Sequence, residues 1–240
     1  MRLIRKGPEP ASLAEYRKEP GASFRDCTCK DDIRDALLQE QGHLCAYCMR
    51  PIQWVRNGPG VTGEEIRRRD MKIEHWYPER LLDDAGTLDY QNMLGVCKGR
   101  HEGEAEDTCD TKKSGALITV DPRKQEHIDR IRYDIVDEEI LIHSDDPDID
   151  EDLKKRLNLN ANQLPGARFA VYDEFIRKLQ YLKEQGMFSA ETLKKIRDYY
   201  EKPGTDGRLP AYSGLILWYF DSKNAEVVCV KFSLASKQIN

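Results

Sequence analysis

With 240 residues, 39% hydrophobic and 34% charged, the chain can build one ordinary domain with extensions or a domain plus a smaller companion. No apolar run approaches the roughly 20 residues that a bilayer-spanning helix needs. A net charge of −5, from 38 basic and 43 acidic residues, excludes a protein that coats nucleic acid by bulk attraction, so any such contact must be local. The basic start, residues 1–8, lacks a long apolar stretch and a small-residue cleavage site, so the expected location is the cytoplasm, away from membranes. Seven cysteines in that reducing compartment point to metal rather than to a disulfide framework.

Three stretches follow one another. Residues 1–42 open as a loop and continue as a lead-in helix, with Ile33, Leu37 and Leu38 on one face and Gly42 as its stop. Residues 43–120 are dense in motifs and poor in long periodic helices, as suits a small unit whose core is partly a metal. In residues 121–240, apolar alternations at 131–135 and 140–142 around Asp137-Glu138-Glu139 predict a hairpin. Helices are then expected over 151–157, 164–185, 189–200 with Ser189 as cap, and 212–220, the last buried against the others with part of residues 215–220 serving as an interface. Charge is uneven along the chain. Arg67, Arg68, Arg69, Lys72 and Arg80 gather near the motifs, whereas residues 134–152 hold ten acidic side chains and no Lys or Arg.

Cys45-Ala46-Tyr47-Cys48 is a C-x2-C knuckle that offers two thiolates to a tetrahedral zinc. The second pair has several candidates: Cys97 with Cys109, Cys27 with Cys29, or histidines such as His43 and His101. Cys97 and Cys109 are preferred because they flank a second group of motif residues, while a C-x-C pair chelates poorly. Cys27, Cys29 and Cys229 are then unligated. Four thiolates close the zinc shell and leave no place for water, so this metal is structural. Between the pairs, residues 72–78 (Lys-Ile-Glu-His-Trp-Tyr-Pro) read as a strand ending in a carboxylate and a histidine. Adjacent strand residues face opposite ways, so Glu74 and His75 need a bulge or turn to reach one site. Residues 90–97 read as a loop carrying Asn92, and residues 108–115 as a short helix beginning near Cys109.

The order C-x2-C, acidic-His-x2-Pro, Asn-x4-Cys and Cys-polar-x2-Lys over residues 45–115 resembles the zinc-bearing branch of the HNH (ββα-metal) endonucleases. That resemblance implies an α+β fold: a zinc-stapled ββα-metal core with an N-terminal helix and a mainly helical C-terminal subdomain. It implies His75 as general base, Asn92 as the residue that orients it, and Glu74 and Asp110 as ligands of a catalytic magnesium or manganese. Lys112 and Lys113, with Arg67, Arg68 and Arg69, would contact nucleic-acid phosphate. Two departures from the family stand out. Eleven residues, including His101 and four carboxylates, separate Cys97 from Cys109, and Asp110 occupies a position that is usually His or Asn. Residues 4–10, 13–16 and 157–160 extend the resemblance to the PtuB family, HNH effectors of Septu and retron-associated anti-phage systems. It implies DNA as substrate, a PtuA-type ATPase as partner, and in some systems a retron reverse transcriptase and its DNA. The alternative reading is a non-catalytic zinc module that binds nucleic acid or docks a partner ATPase.

Overall fold

The computed structural model describes residues 1–67 and 69–222, with the side chain of Arg67 left aside. Arg68, Cys229 and the tail from residue 226 lie outside the described residues. The fold is α+β, and no helix among the described residues is long and apolar enough to cross a membrane.

In chain order the elements are α1 (Ala11–Tyr16), α2 (Lys30–Gln41), α3 (Gly63–Arg67), β1 (Met71–His75), β2 (Met93–Cys97), α4 (Cys109–Lys113), α5 (Gln125–Ile128), β3 (Ile131–Val136) and β4 (Glu139–Ser144). They continue with α6 (Pro147–Glu151), α7 (Leu164–Glu184), α8 (Ala190–Glu201) and α9 (Ser213–Asp221).

The lead-in helix forms as its pattern predicts. Ile33, Leu37 and Leu38 are buried, and Gly42 ends α2 in the left-handed conformation (φ 58°), where a Cβ would lie 2.4 Å from Leu209. Gln41 is buried at the last position of the helix. Its amide donates to the carbonyls of Leu44 (2.8 Å) and Gly95 (2.7 Å) and accepts from the Gly95 amide (2.7 Å), tying α2 to the knuckle and to β2.

Residues 93–97 form a strand where a loop is expected. All five are buried, and β2 pairs antiparallel with β1 from Met71↔Cys97 to His75↔Met93. A strand covered on both faces reads as a continuous apolar run with no alternation to betray it. With α4 packed on β2, this hairpin and helix form a ββα unit.

The predicted hairpin is β3–β4, turned at Asp137 (φ 54°) and covered by α7. Asn160 donates to and accepts from the Ile142 backbone (2.8 Å each), completing one edge of β4. Where one helix is expected over 151–157, α6 ends at Glu151 and residues 152–156 widen into a π turn. The buried Asp152 in that turn accepts the amides of Thr119 (2.5 Å) and Val120 (2.8 Å) and pairs with Arg156 (2.8 Å). Ser189 caps α8 as expected, accepting from the Thr192 amide.

In α9, Leu215 and Ile216 are fully buried and residues 217–220 are half-buried against the core, so the helix packs on the others as expected. The exposed apolar residues of the helical region are Tyr181, Met187 and Tyr199. One hydrophobic cluster runs from Met1 to Ile216, so all three stretches of the sequence share a core.

Candidate metal centre and the adjoining His75 site

The knuckle is a tight turn after α2. Leu44 bridges Pro51, the Cys45 amide donates to the Arg50 carbonyl, and Met49 turns at φ 63° to return its amide to the Cys45 carbonyl. This brings Cys45 and Cys48 to the end of β2, where Cys97 sits, and to the start of α4, where Cys109 sits. All four are buried, and their sulfurs lie within 4.8 Å of one another. The separations are 3.8 Å for Cys45–Cys109, 3.8 Å for Cys48–Cys97 and 3.7 Å for Cys97–Cys109. A tetrahedron of metal–sulfur bonds about 2.3 Å long has edges of about 3.8 Å. Four buried cysteines therefore could hold a metal ion with little rearrangement.

The eleven-residue insertion does not part Cys97 from Cys109. Gly99 turns at φ 78°, and its carbonyl accepts both the amide and the hydroxyl of Thr108 (2.7 Å each), closing the excursion at its neck. Glu104 pairs with Arg50 of the knuckle and accepts the His101 amide (2.9 Å). His101 itself lies against Cys97, and the hydrogen bond between them holds the imidazole above its usual range. Cys27 and Cys29 are not part of this cluster; their sulfurs face each other 2.7 Å apart.

Glu74 and His75 are both buried, at 6% and 5% exposure. The β1–β2 ladder is regular, with Glu74 opposite Leu94 and His75 opposite Met93, so there is no bulge and the two side chains take opposite faces. Glu74 faces α4. Its Oε1 receives Lys113 Nζ (2.5 Å) and the Tyr47 hydroxyl (3.3 Å), and Lys113 also donates to the His75 carbonyl (3.0 Å). Burial, the hydrogen bond to Asp110 and the charge of Asp110 together push Glu74 up to about 8, against the pull of Lys113. Asp110 moves the other way. Its burial is outweighed by the hydrogen bond to Glu74 and by Lys72 Nζ at 2.5 Å, which hold it below the usual carboxylate range. The two carboxyls thus face each other within hydrogen-bonding reach, with an ammonium group beside each. Such hard oxygen donors suit a divalent cation, which would compete with the Glu74 proton and with Lys72 and Lys113.

On the other face, His75 Nε2 lies 2.8 Å from the Thr87 carbonyl. A carbonyl only accepts, so Nε2 is the donor there, and in a neutral imidazole Nδ1 is then the nitrogen with the lone pair. Nδ1 lies 3.8 Å from Glu79 Oε2, beyond a direct hydrogen bond but close to that carboxylate, which is half exposed. The Phe24 ring stands edge-on to the imidazole, with centroids 4.7 Å apart and planes at 87°.

Asn92 does not touch the ring. It accepts the Tyr77 amide (2.8 Å) and donates to the Tyr77 carbonyl (2.9 Å), fixing the turn that follows His75, so the orienting contact comes from Thr87 instead. Nor is Lys113 available to phosphate, being 2% exposed and held by Glu74 and His75. Arg69 and Arg34 both stack on Trp54 (4.6 and 3.9 Å), and Arg69 also donates to Asn57. Lys112 is exposed on α4.

Sequence reasoning missed Thr87, Phe24 and Glu79 around His75, and Tyr47 beside Glu74. Tyr47 lies inside the C-x2-C motif and was in view there. Thr87 contributes a backbone carbonyl, which no side-chain signal announces. No model of a known protein family matches the chain, and no curated protein matches it.

Proposed function

We propose that this chain is a metal-dependent HNH-type endonuclease that hydrolyses phosphodiester bonds of DNA. The observation that carries this reading is His75. The imidazole is walled in by protein, its Nε2 proton is committed to the Thr87 carbonyl, and its Nδ1 lone pair is left to take a proton from water. The half-exposed carboxylate of Glu79, 3.8 Å from Nδ1, would help to orient that water.

Zinc is the metal that four buried thiolates suit best, and a closed four-sulfur shell gives it a structural role, joining the knuckle, the end of β2 and the start of α4. Magnesium or manganese on Glu74 and Asp110 would relieve charge on the scissile phosphate and the leaving 3′-oxygen. His75 is the last residue of β1, so a phosphate that served both groups would have to lie over that end of the strand. Lys112 on the exposed face of α4 and the guanidiniums near Trp54 would guide the phosphate backbone.

The resemblance to anti-phage effectors extends the proposal to a bacterial defence nuclease acting with a PtuA-type ATPase, in some systems beside a retron reverse transcriptase and its DNA. The exposed Tyr181, Met187 and Tyr199 of α7–α8 are suited to such docking.

One observation favours the second reading, a zinc module that binds without cutting: Glu74 is buried, held by Lys113, and points away from His75. Incubating the purified, zinc-loaded chain with plasmid and single-stranded DNA, with magnesium or manganese and with or without the ATPase, separates the two. Cation-dependent cutting is expected. DNA binding without cutting under every condition would favour the module.

A further inference from the structure

Among the described residues, Cys27 and Cys29 are the two cysteines that the metal cluster does not use. Both are buried, at 6% and 8% exposure, just beneath the turn that leads into α2, whose residues Arg25, Asp26 and Thr28 are exposed. Their sulfurs are 2.7 Å apart, which is closer than two non-bonded sulfurs rest and about 0.7 Å beyond the roughly 2.05 Å of a disulfide. The same turn forms one wall of the His75 pocket. The Cys27 amide donates to the Phe24 carbonyl (3.3 Å), the Phe24 amide donates to Thr87 Oγ1 (3.1 Å), and the Phe24 ring packs edge-on against the imidazole. Cys29 is anchored as the first residue before α2, its carbonyl accepting from Asp32 and Ile33.

We propose that Cys27 and Cys29 are a peroxide-sensitive dithiol that closes to an intrachain disulfide and, in closing, draws Phe24 away from His75. The effect on hydrolysis rests on His75 being the base; formation of the disulfide does not. Cys29 is fixed at the start of the helix, and burial and the hydrogen bond to Cys27 push its thiol up, which leaves Cys27 as the attacking sulfur. The Cys27 sulfur attacks one oxygen of hydrogen peroxide, the O–O bond breaks, and one water leaves a sulfenic acid behind. The Cys29 sulfur then attacks Cys27, expelling the sulfenic oxygen, which leaves as a second water with the Cys29 proton. The sum is two thiols and one peroxide giving one disulfide and two waters. Because Cys29 is fixed to the helix, the movement falls on Cys27 and, through its hydrogen bond, on Phe24. A ring closed across a single residue, Thr28, is strained, and strained disulfides are the readily reversed ones.

The test treats the full, metal-loaded chain with hydrogen peroxide and follows two signals that need no DNA cleavage, so a failed nuclease assay leaves it standing. Tryptic fragment 26–30 contains both cysteines and no others, and it should lose ~2 Da and regain them with dithiothreitol. The ring resonances of His75, assigned by their absence in His75→Ala, should shift on oxidation and return on reduction. In Cys29→Ser neither change should occur. Two outcomes would overturn the proposal: metal released from the four-cysteine cluster while fragment 26–30 keeps both thiols, or a disulfide that leaves the His75 resonances where they were.

Discussion

Glu74 is a carboxylic acid kept protonated into the neutral range by its burial and by Asp110. The folded chain therefore binds a proton that the unfolded chain releases near its ordinary value of about 4.3, so folding loses stability as pH rises from there toward about 8. Without added divalent cation, the thermal midpoint of the wild type should fall across that window. Glu74→Gln, which cannot ionise, should flatten the slope; an unchanged slope would mean that the proton sits elsewhere. His75 is held by a backbone carbonyl, so its orientation survives any substitution at Thr87 that keeps the turn. Glu79 is the side chain that can change the chemistry without disturbing the ring: Glu79→Gln should slow cleavage by about 10-fold or more while leaving the fold intact, if it orients the attacking water. That pairing was not legible in the sequence, because His75 and Glu79 are separated by Pro78 and a turn of unforeseen direction. The gathering of Cys45, Cys48, Cys97 and Cys109 was legible, since thiolate grouping depends on residue type and order more than on fold detail.

The elements with a clear period were legible too: α2 from its Ile33, Leu37 and Leu38 stripe, the β3–β4 hairpin from alternation, and α8 from its Ser189 cap. β2 was hidden because both its faces are buried, and the π turn at residues 152–156 because one inserted residue barely perturbs a helical pattern. The element-level keystone is Gln41, which satisfies three buried backbone groups at once. Gln41→Ala should cost at least about 2 kcal/mol in a denaturant titration, since it leaves the Gly95 amide and the Leu44 carbonyl unpaired. At the neck of the insertion, a Cβ on Gly99 would lie 2.3 Å from the Thr108 carbonyl at a backbone angle side chains avoid. Gly99→Ala should thus destabilise by about 2 kcal/mol or more and weaken metal retention, read as earlier metal release to a chelator. A variant as stable and as tightly loaded as the wild type would show that the neck does not hold the half-site together.

At the scale of the whole molecule, the His75 pocket is assembled from the turn before α2, the end of β1 and the loop through Thr87, all packed on one core. The four-cysteine cluster gathers other segments, the knuckle after α2, the end of β2 and the start of α4, around a sheet that is only two strands wide. Stripping the metal with a strong chelator should lower the thermal midpoint by about 10 °C or more. That single core also explains why the three stretches read from the sequence do not behave as independent blocks: their boundaries follow changes in pattern, whereas burial crosses them freely.

The central claim is that His75 activates water against a phosphodiester, and the most direct test compares wild type and His75→Ala on plasmid DNA with magnesium or manganese, each confirmed to carry its thiolate-bound metal. The account expects cation-dependent cutting by the wild type and a loss of about 10²–10⁴-fold in the variant at unchanged metal content. Equal cutting by the two proteins would contradict it.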